Sequence, residues 1–299
     1  MGRMLYFLVI LTVFAGMCSC GIPQVAVSSI SIDLNNYQTA YILKPGIAAI
    51  QFNTLTVAPS LTGTQSIKGS NFLHNTAYSG GMVFETAIAE EWQVGIGWQF
   101  GLSPKIEDWG LNGNLGANAF TKVAIGTHGE PNPPVRFALL ADFSYQVGNK
   151  STGQNIVTTY LDSTASPRAP FGAISIGATL PDSIVQWGIT SKAYRFSLAL
   201  PMTVQSQNSN VSLTFRPAIH YFDYSLLGQE INSRKRTMYE AINPINTRRN
   251  YFIPSLSIGY GIHDKDTGVD WLTFELTYAL WENTHTLSAG YIFRVPIRF

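Results

Sequence analysis

Apolar residues recur at every second position over long stretches of this chain. The clearest stretch has glycine or glutamine at one set of positions and large apolar residues at the other, namely Trp92, Val94, Ile96, Trp98, Phe100 and Leu102. Successive side chains of a β-strand point to opposite faces, so this alternation predicts a strand with one apolar and one polar face. The same pattern returns at 135–147, 194–205, 211–221, 254–260, 272–280 and 287–299.

The length of these stretches and the composition favour strands that face two different solvents. The stretches exceed the roughly 5–6 residues of ordinary strands and approach the roughly 9–11 residues of transmembrane strands. Charged residues make up 12% of the chain and apolar residues 45%, whereas soluble domains have about 25% charged residues. Beyond the N-terminus no apolar run reaches the roughly 18 residues of a spanning helix. A soluble β-sandwich would also alternate and is the alternative.

The first 19 residues have the pattern of a secretory signal peptide. Arg3 precedes an uncharged apolar stretch, and Cys20 follows a serine. A cysteine after a small residue resembles the lipobox of bacterial lipoproteins, which implies cleavage before Cys20 and lipid attachment to it. An ordinary signal peptide cut nearby is the alternative. We therefore expect a signal peptide at 1–19 and a periplasmic tether or plug segment at 20–45, followed by the barrel at 46–299.

The C-terminal stretch carries apolar residues at alternate positions up to the last residue. They are Leu287, Ala289, Tyr291, Phe293, Val295, Ile297 and Phe299. A final strand of this kind that ends in Phe resembles the C-terminal signature of bacterial outer-membrane β-barrel proteins. The resemblance implies a location in the outer membrane of a Gram-negative envelope, in contact with outer-membrane lipid. It also implies an assembly signal that the barrel-assembly machinery recognises, formed by Tyr291, Phe293, Val295, Ile297 and Phe299.

The fold expected for 46–299 is an all-β, transmembrane, antiparallel up-and-down β-barrel. Such barrels have an even number of strands, short periplasmic turns and longer outer loops. Eleven alternating stretches, one of them at 169–180, become twelve strands if the threonine-rich stretch 154–162 is included; ten to fourteen strands are compatible with the pattern. The longer outer loops are then expected at 60–76, 104–113, 181–192 and 226–249.

Ionisable residues fall on the predicted inward faces. They are Glu85, Lys122, Arg136, Asp142, Arg195, Arg216, His220, Glu275, Arg294 and Arg298. Charges at membrane depth are costly unless they face water or each other. They therefore indicate either an open polar channel, with an excess of cations that favours anions, or a lumen filled by salt bridges.

Three functions remain open at this point. The first is a passive, porin-like pore for transport of ions or small polar solutes, without a cofactor or a metal site. The second is a structural or interaction barrel, such as an adhesin or a part of an envelope complex, with a filled lumen. The third and least favoured is an outer-membrane hydrolase, because no His-x-Ser sequence provides a base beside a hydroxyl. A His–Ser or His–Asp contact at the outer rim would revive it.

The predicted loop at 226–249 is the most basic part of the chain. It contains Arg234, Lys235, Arg236, Arg248 and Arg249. Such a loop could bind lipopolysaccharide phosphates or another acidic ligand, and the alternative is a solvated loop. The net charge of the whole chain is only +1, which argues against nucleic acid as a partner.

Overall fold

The computed structural model of the chain describes residues 25–299 except 36, 67, 105–110, 127–134, 159–180, 206–208, 235–238 and 283. The strands in the described residues are β1 (Ala26–Ser31), β2 (Ile47–Ser66), β3 (Gly69–Ala89), β4 (Trp92–Pro104), β5 (Leu111–Ile125), β6 (Val135–Gly148), β7 (Ser151–Thr158), β8 (Pro181–Ala199), β9 (Met202–Gln205), β10 (Val211–Arg234), β11 (Tyr239–Asp264), β12 (Val269–Trp281) and β13 (Thr284–Arg298). Within these residues no helix is long and apolar enough to cross a membrane.

The strands form one antiparallel sheet that closes into a ring. Strands β2 to β6 pair in chain order, as do β10 to β13, and β13 then pairs with β2. The space between β6 and β10 is filled by β8 and β9, which pair with both of them. The predicted all-β antiparallel barrel is therefore confirmed.

The ring passes through ten strand positions within the described residues, because two pairs of strands share a position. β8 and β9 are one strand with a two-residue interruption. β7 continues β6 along the same neighbour, since Val147 lies opposite Lys192 and Ser151 lies opposite Ile189. Ten is the lower end of the range that the sequence predicts.

Two predicted strands account for the difference from twelve. The stretch 154–162, as far as it is described, prolongs the preceding strand instead of adding a new one. The stretch 169–180 lies outside the described residues. A short interruption at 149–150 is indistinguishable in the sequence from a turn, because both contain small or polar residues.

Three of the four predicted outer loops are strands in the structure, which corrects that prediction. The stretches 60–76, 181–192 and 226–249 belong to the β2–β3 hairpin, to β8 and to the β10–β11 hairpin, apart from the residues not described. The backbone ladder continues there, but many outward side chains are polar. In these stretches the alternation of apolar and polar residues is therefore lost, although the strands continue.

Large apolar side chains point outward on all the ring strands and form a continuous belt. Ile96, Leu115 and Phe252, for example, are 66%, 67% and 69% exposed. The inward residues between them are buried, as the alternation from Thr273 to Trp281 on β12 shows. An exposed apolar surface of this extent is typical of the outer face of a membrane barrel.

The two ends of the barrel differ inside. We call the end where the Phe299 amide donates to the Gly46 carbonyl the proximal end, and the opposite end, with the β2–β3 turn, the distal end. Toward the distal end the interior holds a cluster of buried apolar residues from β1 and the inward faces of β2, β8, β10, β11 and β12. Trp281 belongs to this distal apolar cluster. The centre of its ring lies 5.4 Å from the ring centre of Tyr251 and 5.9 Å from that of Phe222.

We expect Trp281→Ala to lower the free energy of unfolding by about 3–5 kcal/mol, because the ring is fully buried and its loss leaves a cavity. Trp271→Ala is the matched control, since Trp271 lies on the same strand and is 54% exposed. Urea unfolding of the refolded barrel, followed by circular dichroism, measures both. Equal losses for the two variants would contradict a packed distal cluster.

Candidate functional site

The interior of the barrel is occupied by its own N-terminal residues, 26–46, here called the lumen segment. At the distal end β1 pairs with β2, from Ala26 opposite Gln65 to Ser31 opposite Ser60. At the proximal end the Lys44 amide donates to the Thr267 carbonyl at 3.2 Å. The described part of the segment thus extends through the whole barrel, whereas the sequence pattern left a tether and a plug at the periplasmic mouth as alternatives.

The distal half of the lumen segment is held by hydroxyl and amide side chains of the wall. The Val27 amide donates to the Ser151 hydroxyl at 3.0 Å, and the hydroxyls of Ser28 and Ser191 are 2.7 Å apart. Nearby, the Ser31 amide donates to the Asn114 side chain at 3.0 Å. These wall residues satisfy groups of β1 that its pairing with β2 leaves unused.

In the centre of the lumen an ion pair of the wall meets an acidic residue of the segment. The Arg195 guanidinium lies 3.0 Å from the Asp142 carboxylate and also donates to the Asp33 carbonyl oxygen. The Asp33 carboxylate accepts hydrogen bonds from Asn53 and Ser79, both at 3.1 Å. Burial raises the pKa of Asp33, which lies on the segment outside the ring strands, to about 6, and the nearby Arg195 opposes that rise.

A second ion pair contacts the next residues of the segment. The Arg216 guanidinium donates two hydrogen bonds to the Glu275 carboxylate, one of them at 2.9 Å. It also donates to the Ser257 hydroxyl at 3.2 Å and to the Leu34 carbonyl at 3.5 Å. The Tyr37 amide donates to Glu275 at 3.0 Å. Wall and segment therefore share one network of charge-assisted hydrogen bonds.

A third group of charges lies toward the proximal end. Arg294 is 2.8 Å from the Glu85 carboxylate and donates to the Tyr37 carbonyl at 2.6 Å. The Gln38 amide bridges two opposite charges, because it donates to Glu85 at 3.0 Å and accepts from the Lys122 ammonium at 3.0 Å. In each of the three groups the segment supplies a partner to a buried ion.

The structure brings most of the predicted lumen residues together inside the barrel. Those that are buried there are Glu85, Lys122, Asp142, Arg195, Arg216, His220, Glu275 and Arg294. Arg136 is partly buried, with its guanidinium 5.0 Å from the centre of the Tyr41 ring. Arg298 is exposed at the end of β13.

Several residues of the site were not predicted from the sequence. Asp270 is buried, accepts a hydrogen bond from Thr39 at 2.5 Å and lies 3.0 Å from the His263 ring. Strand parity places Asp270 on the outward face, but an irregularity in the β11–β12 pairing, where Trp271 has no partner, reverses it. The lumen segment has little apolar periodicity beyond Ile30, Ile32 and Leu34, so its polar contacts had no signal in the sequence.

A histidine–serine contact exists, but not at the rim. The His220 ring nitrogens lie 2.7 Å from the Ser197 hydroxyl and 2.8 Å from the Ser255 hydroxyl. The three residues are on neighbouring strands and are buried in the lumen wall. Sequence spacing missed the contact because it crosses strands. Its position does not meet the condition for a hydrolase site at the outer rim.

Little free space remains between the segment and the wall in the centre of the barrel. The central cavity beside Asp33 and Arg195 has a volume of about 40 Å³, enough for a few water molecules. A larger hollow of about 540 Å³ lies at the proximal end beside Tyr41, Arg136 and Lys265. Among the described residues no group of three or more acidic, histidine or cysteine side chains is arranged to hold a metal ion.

No family model and no curated protein matches the chain. One of the solved structures that it resembles is described as "Structure of the RagAB peptide importer in the 'closed-closed' state", with 12% sequence identity and a TM-score of 0.31. The match covers 89% of this chain and 36% of that one, so this chain corresponds to about a third of the importer chain's length. We draw no functional conclusion from a similarity of this degree.

We expect Arg216→Met to lower the free energy of unfolding by about 3 kcal/mol or more, because it leaves the buried Glu275 carboxylate without its cation. The double variant Arg216→Met, Glu275→Leu should recover part of that loss, since no isolated charge remains. Arg298→Met, at the exposed end of β13, should change it by less than about 0.5 kcal/mol. Urea titrations of the three variants test this, and a double variant less stable than the single one would contradict it.

Proposed function

We propose that this chain is an outer-membrane β-barrel that conducts ions or small polar solutes and that is closed at rest by the lumen segment. The observation that carries the proposal is the polar character of both surfaces where the segment meets the central and proximal wall. A barrel filled only for rigidity could use apolar side chains there, which are often as stabilising as buried ion pairs or more so. A wall lined by Glu85, Lys122 and Arg294 would remain compatible with water after the segment has moved.

The outward face supports the membrane location. Its apolar belt would be unfavourable in water and favourable in hydrocarbon. The outward side chains of Tyr291, Phe293 and Val295 are 40–51% exposed and Phe299 is 85% exposed, so an assembly factor could reach the proposed C-terminal signal. The proposed signal peptide and the lipidation of Cys20 lie outside the described residues.

An opened lumen is expected to prefer anions only weakly. The described wall carries the cations Lys122, Arg136, Arg195, Arg216 and Arg294 and the anions Glu85, Asp142, Asp270 and Glu275. Five minus four leaves an excess of one positive charge. The preference is smaller than the sequence predicts, because Asp270 also faces inward and Arg298 is exposed at the end of β13.

A permanently filled interaction barrel is the second candidate, and the distal apolar cluster favours it. Ile30, Ile32 and Leu34 of the lumen segment are buried in that cluster. Moving them into water would cost about 1.5–3 kcal/mol for each side chain. The two candidates therefore differ in one property, whether the segment leaves its place in the lumen.

We expect a disulfide between segment and wall to abolish conductance. Ser28→Cys with Ser191→Cys, in a chain with Cys20→Ser, joins two positions whose hydroxyl oxygens are 2.7 Å apart. Planar-bilayer recordings should show channel openings under reducing conditions and none after oxidation. The matched control is Thr203→Cys with Thr214→Cys, which joins two wall strands at a similar distance of 2.8 Å and should conduct in both states.

Two results would reject the gated channel. Openings that persist in the oxidised Ser28–Ser191 variant would show that the segment is not the gate. Silence of the folded chain under both conditions, with and without an applied voltage, would favour the permanently filled barrel. Heat-dependent mobility in gel electrophoresis verifies that each variant has folded.

We expect deletion of Phe299 to reduce the amount of assembled barrel in the outer membrane several-fold, because the proposed signal for the assembly machinery loses its last residue. Arg298→Ser, next to it and also exposed, should assemble normally. Fractionation of cells and the heat-dependent mobility of the product measure assembly. Normal assembly without Phe299 would contradict the proposed signal.

A further inference from the structure

The outer surface of β6, β8, β10 and β11 changes character in steps toward the distal end. Strand register places outward residues of the four strands in common rows. The aromatic row consists of Phe143, Phe196, Tyr221 and Phe252. The next row distally consists of Tyr145, Tyr194, Asp223 and Asn250, in which the two tyrosine rings stack at 4.8 Å.

The following row carries cations. Lys192 on β8 lies opposite Ser225 on β10, which in turn lies opposite Arg248 on β11. Because residues two apart on a strand are separated by about 7 Å, this row lies about 7 Å beyond the tyrosines and about 14 Å beyond the aromatic row. Arg248 forms an ion pair with Asp223, so Lys192 provides the net charge of the row.

A groove of about 750 Å³ continues distally from Lys192 along the outer surface. Its centre is Gly188, which lies between Thr152 on β7 and Gln229 on β10. A side chain at Gly188 would point into open space, with the nearest atom, the Cε of Lys150, 3.8 Å from its Cβ. The missing side chain therefore forms the depression, and Lys150 reaches across it.

We propose that this rim groove binds the phosphorylated headgroup of a glycolipid in the surrounding leaflet, with Lys192 and Lys150 contacting phosphate and Thr152 and Gln229 contacting sugar hydroxyls. Aromatic residues at the edge of an apolar belt mark the level of lipid headgroups, and cations just beyond them attract lipid phosphates. The proposal depends on the membrane location in the proposed function but not on transport.

The height of the groove distinguishes a glycolipid from a simple phospholipid. Gly188 is four residues beyond Lys192, which corresponds to about 13 Å along the strand. The polar headgroup layer on one side of a phospholipid bilayer is only about 5–8 Å thick. A ligand with phosphate at Lys192 reaches Gly188 only if its headgroup extends further, as a sugar headgroup does.

The proposed groove overlaps only in part with the basic loop 226–249, which the sequence predicts as a binding site for phosphates. Arg249 does not face the groove, because its guanidinium lies over the Phe72 ring at 4.7 Å. Arg248 is neutralised by Asp223. The side chains of 234–240 lie outside the described part of the structure. The cations that the structure places in a groove are instead Lys192 on β8 and Lys150 in the interruption between β6 and β7.

Native mass spectrometry of the full mature chain in mild detergent tests the proposal, with diphosphorylated lipid A carrying core sugars as the probe. Lys192→Gln should weaken binding about tenfold, since it removes a charge-assisted hydrogen bond. Gly188→Leu should weaken it similarly by filling the groove without changing the charge. Lys68→Gln, an exposed lysine in the β2–β3 turn at the same end, is the control and should bind normally.

Each other outcome overturns the site. Equal weakening by Lys68→Gln would mean general charge attraction, and normal binding by Gly188→Leu would mean that the groove is not used. Equally tight binding of phosphatidylglycerol or of inorganic phosphate would exclude the glycolipid. A Gly188→Cys variant that a soluble maleimide cannot label in detergent would mean that residues 159–180 or another part of the chain cover the groove. The binding experiment does not measure conductance. Its result is therefore independent of whether the gated-channel proposal fails.

Discussion

Each ionic group enclosed by the ring needs an opposite charge or a hydrogen-bond partner, and the rest of the structure depends on this constraint. The wall alone pairs Arg195, Arg216 and Arg294 with carboxylates, but these ions retain donors and acceptors that water would otherwise satisfy. Carbonyls of Asp33, Leu34 and Tyr37 accept from three different arginines, and Gln38 bonds to the remaining lysine. The lumen segment thus supplies the hydrogen-bond partners that water would supply in an empty lumen. From Asp33 to Leu43 its described residues are not in a strand, so carbonyl and amide groups of its backbone bond to side chains of the wall.

The segment has two halves with different chemistry. Around β1 it pairs with β2 and bonds to wall hydroxyls, and it is also packed among apolar side chains of the distal apolar cluster, which exclude water. From Asp33 onward it is held mainly by hydrogen bonds to side chains, which water can replace with little net cost. The proximal half can therefore begin to exchange its contacts for hydration before β1 leaves the distal apolar cluster. This asymmetry links the closed lumen to the proposed gating, because movement can begin at the end next to the 540 Å³ hollow.

The sequence could predict whatever follows from alternation. Strands such as β12 and β13 were evident because lipid-facing and inward positions differ in polarity, and the same parity located Arg216 and Glu275 on the inner face. Three features could not be predicted. The strand extensions beyond the belt lose the contrast between faces, the pairing irregularity next to Trp271 reverses the parity of Asp270, and the contacts of the lumen segment join residues far apart in the chain. The His220–Ser197 contact belongs to this last group.

The pairing of β13 with β2 has a consequence for the order of events in biogenesis. The lumen segment directly precedes β2, and β13 is the last of the described strands, so the seam between β13 and β2 is the pairing that closes the described ring. Entry from an open mouth after closure would require the segment to travel the length of the barrel. The segment is more easily laid against β2 while the sheet is still open. Closure of the seam by β13 then encloses the lumen segment, so a late strand pairing would retain it kinetically.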